Sequence, residues 1–206
     1  MKRLQGLELE HACIGSCAGR RRGADHFATE TGLAQRPQRR QGFRIGAGVG
    51  YGLLARTCDA CQNLPGEPGL SGFLKLGVTA APQLLMGVEA NGWRKTIQGT
   101  TVTAVNASVV SYVYLKPTSG FFFKGGLGVS YYREDVPVKT PEDTASTTGF
   151  GLTAGLGYDY RVADNISLTP VANFTFGSLG NLRHRGFFYP NVQETLLQLA
   201  LGMTFH

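Results

Sequence analysis

From Phe43 onward the apolar residues fall on every second position. The stretch FRIGAGVGYGLLAR sets Phe43, Ile45, Ala47, Val49, Tyr51 and Leu53 against Arg44, Gly46, Gly48, Gly50 and Gly52. A period of two is the signature of a strand with one apolar face. Seven further stretches repeat it. LSGFLKLGVT sets Leu70, Leu74, Leu76 and Val78 against Ser71, Lys75 and Thr79, with Phe73 out of step. QLLMGVEANGW, GFFFKGGLGVSYY, GFGLTAGLGYDY, ISLTPVANFTF and the closing ETLLQLALGMTFH alternate in the same way. In TVTAVNASVVSYVYL the facing is ambiguous around Tyr112 and Tyr114.

The connections sort into two kinds. Strands two and three, four and five, and six and seven are joined by AAP, KPTS and VADN, short pieces with turn residues. The other four connections, TCDACQNLPGEPG, RKTIQGT, EDVPVKTPEDTAST and GSLGNLRHRGFFYPN, read as longer polar loops. Alternating short and long connections predict an all-β fold: an eight-stranded antiparallel up-and-down transmembrane barrel over residues 43–206. Such a barrel pairs its last strand with its first, leaving no edge.

The face opposite the apolar one decides between a soluble and a membrane barrel. It carries Lys75, Glu89, Lys124, Asp159 and Gln198 among many glycines. A midplane Lys or Arg facing lipid costs roughly 2–4 kcal/mol, so these charges belong in the lumen. Folding strands two and three about Pro82 brings Lys75 opposite Glu89. Folding five on six brings Lys124 near Asp159. Both are expected as lumen salt bridges, with glycines making room for the charged chains. Aromatics group toward the two strand ends: Tyr158, Tyr160, Phe121, Phe123 and Phe205 at one, and Tyr51, Trp93, Tyr131, Phe150, Phe174 and Phe176 at the other. Two interfacial girdles are expected from them. An apolar, empty lumen would instead favour a soluble periplasmic ligand-binding barrel.

Composition agrees. Charged residues make up 17% of the 206, against about a quarter in soluble domains. No run approaches the roughly 18 apolar residues of a membrane helix. Residues 1–42 hold eight Lys/Arg and four Asp/Glu, so most of the net +6 lies outside the alternating region. That asymmetry argues against nucleic-acid binding by the barrel. The 1–42 segment has no sustained period and is expected to be disordered. It lacks the apolar core of a secretory signal, while TGLAQ at 31–35 looks like the end of one. We expect either a different start or a shifted frame upstream of about Thr31.

On FRIGAGVGYG, GFFFKGGLGVSYY, GFGLTAGLGYDYRVADNISLTP and the closing LALGMTF, residues 43–206 resemble the small eight-stranded bacterial outer-membrane barrels, such as the OmpA and OmpX transmembrane domains. The resemblance implies a place in the outer membrane of a Gram-negative cell. It also implies insertion by the outer-membrane assembly machinery, which recognises a last strand ending in an aromatic residue. Here that residue is Phe205, followed by His206. The partners expected are outer-membrane lipid and lipopolysaccharide, with no nucleic acid and a monomeric state.

Little else carries chemistry. Cys58 and Cys61 in TCDACQ lack the His of a haem site and the βαβ setting of a redox centre; a zinc site would need two more ligands, which only Cys13 and Cys17 in the 1–42 segment could offer. In an oxidising exterior they are expected to form a disulfide. GFGLTA matches a dinucleotide fingerprint by letter, but no helix follows it. No cofactor and no metal is expected. Only His184 and His206 lie in the barrel region, and no H-x-S stands near a strand end. The expectation is therefore a non-enzyme with a structural or surface-interaction role and no wide pore. A lipid-modifying enzyme is the alternative, which a Ser/His pair at the barrel rim would favour. Arg183, His184 and Arg185 beside Phe187, Phe188 and Tyr189 form a candidate patch for charged lipid head groups.

Overall fold

The computed structural model describes residues 42–59, 63–135, 144–184 and 187–206. They form β1 (Phe43–Thr57), β2 (Leu64–Ala81), β3 (Leu84–Ile97), β4 (Thr100–Tyr114), β5 (Phe121–Asp135), β6 (Thr144–Tyr158), β7 (Tyr160–Ala163), β8 (Ile166–His184) and β9 (Phe187–Phe205). Every pairing is antiparallel. β6 and β7 are two parts of one stave: they flank Asp159 and both pair with β8. The result is a closed barrel of eight staves. Its seam is β1 on β9, from Ile45 opposite Phe205 to Thr57 opposite Gln193.

The registers set the barrel's dimensions. Following ladder partners from Ala47 through Leu74, Ala90, Ala107, Val129, Phe150, Ser178 and Gln193 returns to β1 at Thr57, ten residues higher. With 3.3 Å per residue and about 4.8 Å between strands, that shear tilts the staves by roughly 40° and gives a backbone radius of roughly 8 Å. Side chains fill a lumen of that width.

Alternation sends the two faces to different surroundings. Ile45, Val49, Leu70, Leu74, Val109, Leu127, Leu197, Leu199 and Leu201 stand exposed on the outer wall. Arg44, Lys75, Glu89, Asn91, Asn106, Lys124, Thr153, Asp159 and Gln198 are buried inside. Apolar outside and polar inside is the arrangement of a barrel that crosses a membrane. The interior also holds two apolar clusters. One, containing Phe73, Leu85, Tyr112, Tyr114 and Phe122, lies toward the end with the short turns. The other, containing Leu54, Trp93, Tyr132, Leu179 and Val192, lies toward the opposite, hairpin end.

Several sequence expectations change here. Trp93 is not a girdle residue: it is 2% exposed, points into the lumen and donates from Nε1 to the Gly52 carbonyl at 3.1 Å. Phe73, out of step with its apolar neighbours, also lies in the lumen. On β4, Tyr112 and Tyr114 face in and Val113 faces out. The inward glycines make room for aromatics as much as for charges. A Cβ on Gly69 would sit 2.6 Å from Trp93, and one on Gly202 would sit 2.5 Å from Phe73.

Two connections expected as long loops are mostly paired strand. β3 and β4 meet across Gln98 and Gly99, with φ of 48° and 85°. Two central residues with positive φ make the turn whose twist suits a hairpin. β8 and β9 are 19 residues each and remain paired up to His184 opposite Phe187. A membrane crossing takes about 9–11 residues, so their upper halves project beyond it. Register shifts at Ser178/Gly180 and Gly180/Leu182 break the alternation there, which is why the stretch reads as a loop.

Candidate functional site

The lumen concentrates the ionisable groups. Near the turn end, Asp159 accepts from the Tyr114 hydroxyl at 2.7 Å and from Thr169 at 2.9 Å. Arg44 Nη1 lies 3.6 Å from its Oδ2, and Lys75 Nζ lies 3.9 Å from its Oδ1. The next layer is built on Glu89, which accepts from Lys124, from Asn91 at 2.8 Å and from the Tyr112 hydroxyl at 2.5 Å. The rings of Phe73 and Tyr112 lie within reach of both lysines. Lys75 Nζ is 5.5 Å from the centroid of Phe122 and 5.7 Å from that of Tyr112, within cation–π range.

These contacts correct the expected pairs. Lys75 is the ladder partner of Glu89, but its ammonium lies beside Asp159. Lys124 is opposite Gly155, four residues from Asp159, and its ammonium goes to Glu89. The four groups share one lumen with their partners exchanged. In so narrow a tube side chains converge on the axis, and a lysine reaches staves other than its neighbour's.

Above the ions lies a belt of neutral polar groups. Asn173 Nδ2 donates to Asn91 at 2.9 Å and to Gln198 at 2.7 Å, and Asn106 joins Ser130, Ser108 and Thr153. The apolar cluster around Trp93 follows. At the hairpin end Arg56 pairs with Glu134, and the Tyr132 hydroxyl accepts from Arg56 at 2.7 Å and donates to Glu134 at 2.6 Å. Lys95 pairs with Glu67 at 2.7 Å. The expected lumen pairs leave out Arg44, Arg56, Glu134 and Tyr132. Arg44 shares the inward parity of Gly46 and Gly48, and Glu134 that of Lys124, so alternation could have found both.

Cys58 is disulfide-bonded, and Cys61 lies outside the described residues. Arg183 and His184 stand in the last rungs of the β8–β9 hairpin, opposite Phe188 and Phe187. Arg185 lies outside the described residues. Among the described residues, no group of three or more His, Cys, Asp or Glu side chains could hold a metal.

The barrel rim does hold a Ser/His pair. Ser167 Oγ and His206 Nε2 are 2.7 Å apart at the turn end. His206 lies just beyond β9, and its imidazole is pushed down to about 4 by burial and by the nearby Arg44 guanidinium. Its Nδ1 has no acceptor, and Ser167 is fully buried. A nucleophilic serine needs substrate access and a base oriented by a third group. Neither condition is met here.

The profile of the autotransporter beta-domain family matches residues 89–183. No curated protein matches the chain. Among solved structures, the barrel is similar to Ail, the attachment invasion locus protein of Yersinia pestis, with a TM-score of 0.57 at 13% identity over 80% of this chain and 99% of that one. It is similar to the neisserial surface protein NspA, with a TM-score of 0.53 at 17% identity over 80% and 97%. A second Ail structure, in complex with the heparin analogue sucrose octasulfate, gives 0.55 at 13% identity over 80% and 100%. With its closed ring of eight staves, apolar outer wall and filled lumen, the chain has the fold of the small eight-stranded outer-membrane β-barrels.

Proposed function

We propose that the chain is a structural or surface-interacting protein of the Gram-negative outer membrane, with its turn end in the periplasm and its hairpin end outside. One observation carries the reading: side chains close the lumen in successive layers, while β8 and β9 rise beyond the lipid-facing band. A lumen closed in this way conducts no solute of appreciable size, so the projecting surface is left to carry the role. In this reading the outer-membrane assembly machinery inserts the barrel as a monomer. Lipopolysaccharide meets the tip through Arg183, His184 and Arg185, beside Phe187, Phe188 and Tyr189. Ail, a barrel of the same fold, has been crystallised in complex with the heparin analogue sucrose octasulfate, in keeping with a polyanion as the ligand class. Membrane fractionation with heat-modifiable gel mobility tests the placement, and soluble recovery without detergent refutes it. Lipopolysaccharide binding by the double variant Arg183→Ala/Arg185→Ala tests the tip. Binding equal to wild type removes the patch from the proposal.

Ser167 and His206 favour a second reading, an ester hydrolase at the periplasmic rim. The buried Oγ and the unpartnered Nδ1 weigh against it. Turnover of a chromogenic acyl ester that disappears in Ser167→Ala would establish it.

A further inference from the structure

Among the described residues six charged side chains are buried; five of them lie in the turn half of the lumen, and their charges do not cancel. Arg44, Lys75 and Lys124 face two buried carboxylates among the described residues, Glu89 and Asp159. The sixth, Glu194, pairs in the ladder with Arg56, in the hairpin half. Lys124 and Glu89 satisfy one another, which leaves Arg44 and Lys75 sharing Asp159. A buried charge without a counter-charge is strongly destabilising.

The donors left over converge on one place. Arg44 is 3% exposed, and its Nε and Nη2 have no hydrogen-bond partner. Lys75 Nζ is 3.9 Å from the nearest carboxylate oxygen, beyond hydrogen-bond distance. Both side chains line a single void of about 10 Å³, together with Tyr112, Tyr114 and Thr204. A water-sized sphere can move its centre within that space, which is room for one water or one monatomic ion. The Tyr112 and Tyr114 hydroxyls already donate to Glu89 and Asp159, so the free donors at the void are cationic.

We propose that this void is a binding site for a small monovalent anion of the halide class, held between the Arg44 guanidinium and the Lys75 ammonium. The anion supplies the missing charge and accepts the hydrogen bonds that Arg44 Nε and Nη2 do not make. A phosphate or sulfate, with four oxygens around its centre, is too large for the void. Carboxylate ligands are excluded on the same ground.

The full chain, refolded in detergent with bromide as the probe, tests the site. Crystals grown in sodium bromide should show one anomalous peak between Arg44 and Lys75. In solution the thermal unfolding midpoint should be several degrees higher in sodium chloride or bromide than in sodium gluconate at equal ionic strength. Arg44→Met and Lys75→Met should lose that difference; any part that survives in both is a general salt effect. A water only in the void of bromide-grown crystals overturns the proposal, and so do equal wild-type midpoints in halide and gluconate. Both wild-type readouts decide the matter even if a variant does not refold.

Discussion

The Glu89–Lys124 pair offers a direct test of how the lumen is held. The perturbation is Glu89→Gln, which keeps the shape and removes the charge. Both side chains are almost wholly shielded, at 0% and 1% exposure. Glu89 also accepts from Tyr112 and Asn91, so the substitution strikes the centre of a connected network. Removing one partner of a buried pair strands the other, at about 3–5 kcal/mol. That corresponds to roughly two to four orders of magnitude in the folding equilibrium. The assay is urea unfolding of the barrel in detergent micelles, read by the mobility difference between folded and unfolded protein on unheated gels. The second arm is Lys124→Met in the same background. If charge stranding is the cause, the double variant Glu89→Gln/Lys124→Met recovers part of the loss. Contacting residues couple by about 0.5–3 kcal/mol, so the recovery should fall in that range. A loss below about 1 kcal/mol in Glu89→Gln, or additivity of the two substitutions, refutes the reasoning.

Further outcomes follow from other parts of the barrel. Gly69→Ala places a Cβ 2.6 Å from the Trp93 ring and should destabilise by about 1–3 kcal/mol in the same urea assay; the loss should vanish in a Trp93→Leu background. Tyr132→Phe removes the hydroxyl that bridges Arg56 and Glu134 and should cost about 1–3 kcal/mol, against no change if the hydroxyl is idle. The His206 imidazole should titrate near 4 by NMR. With the unfolded value near 6.5, its contribution is complete above that pH and is lost as pH falls from 6.5 through 4, loosening the contact with Ser167 first. A midpoint at 6 or above contradicts this. A tryptic peptide containing Cys58 and Cys61 should take up alkylating agent only after reduction, and labelling without reductant excludes the disulfide.

The membrane-embedded half of each stave was legible because a physical boundary acts on it. Lipid on one side and a narrow polar lumen on the other impose a strict period of two, visible from Ile45 to Leu53 and from Leu197 to Phe205. Where water lies on both sides, that constraint lapses. The upper halves of β8 and β9 therefore look like loop in sequence, and the bulges at Gly180 hide what alternation remains. Trp93 was misplaced for a related reason. Aromatics at strand ends belong either to the interfacial girdle or to a lumen plug, and only parity separates the two. Trp93 shares the parity of Glu89 and Asn91, which already marked it as inward.

The exchanged salt bridges show what register alone does not determine. In a barrel with this shear, ladder partners climb by about 3 Å per stave, while each residue along a stave climbs by about 2.5 Å. From the observed registers, Lys75 on β2 and Lys124 on β5 come out at almost the same height. Glu89 sits slightly above them and Asp159 clearly below. Two lysines at one level in a tube of roughly 8 Å radius repel, and they separate by pointing to different carboxylates. Nothing in the ladder says which lysine goes up. The neighbours decide it: Asp159 has Arg44 and two hydroxyls to share its charge with, and tolerates a lysine at 3.9 Å. Among the described residues Glu89 pairs with one cation, Lys124, which it takes in direct contact. The division leaves Arg44 and Lys75 jointly over-supplied with positive charge, so one and the same asymmetry undoes the expected pairs and creates the anion site.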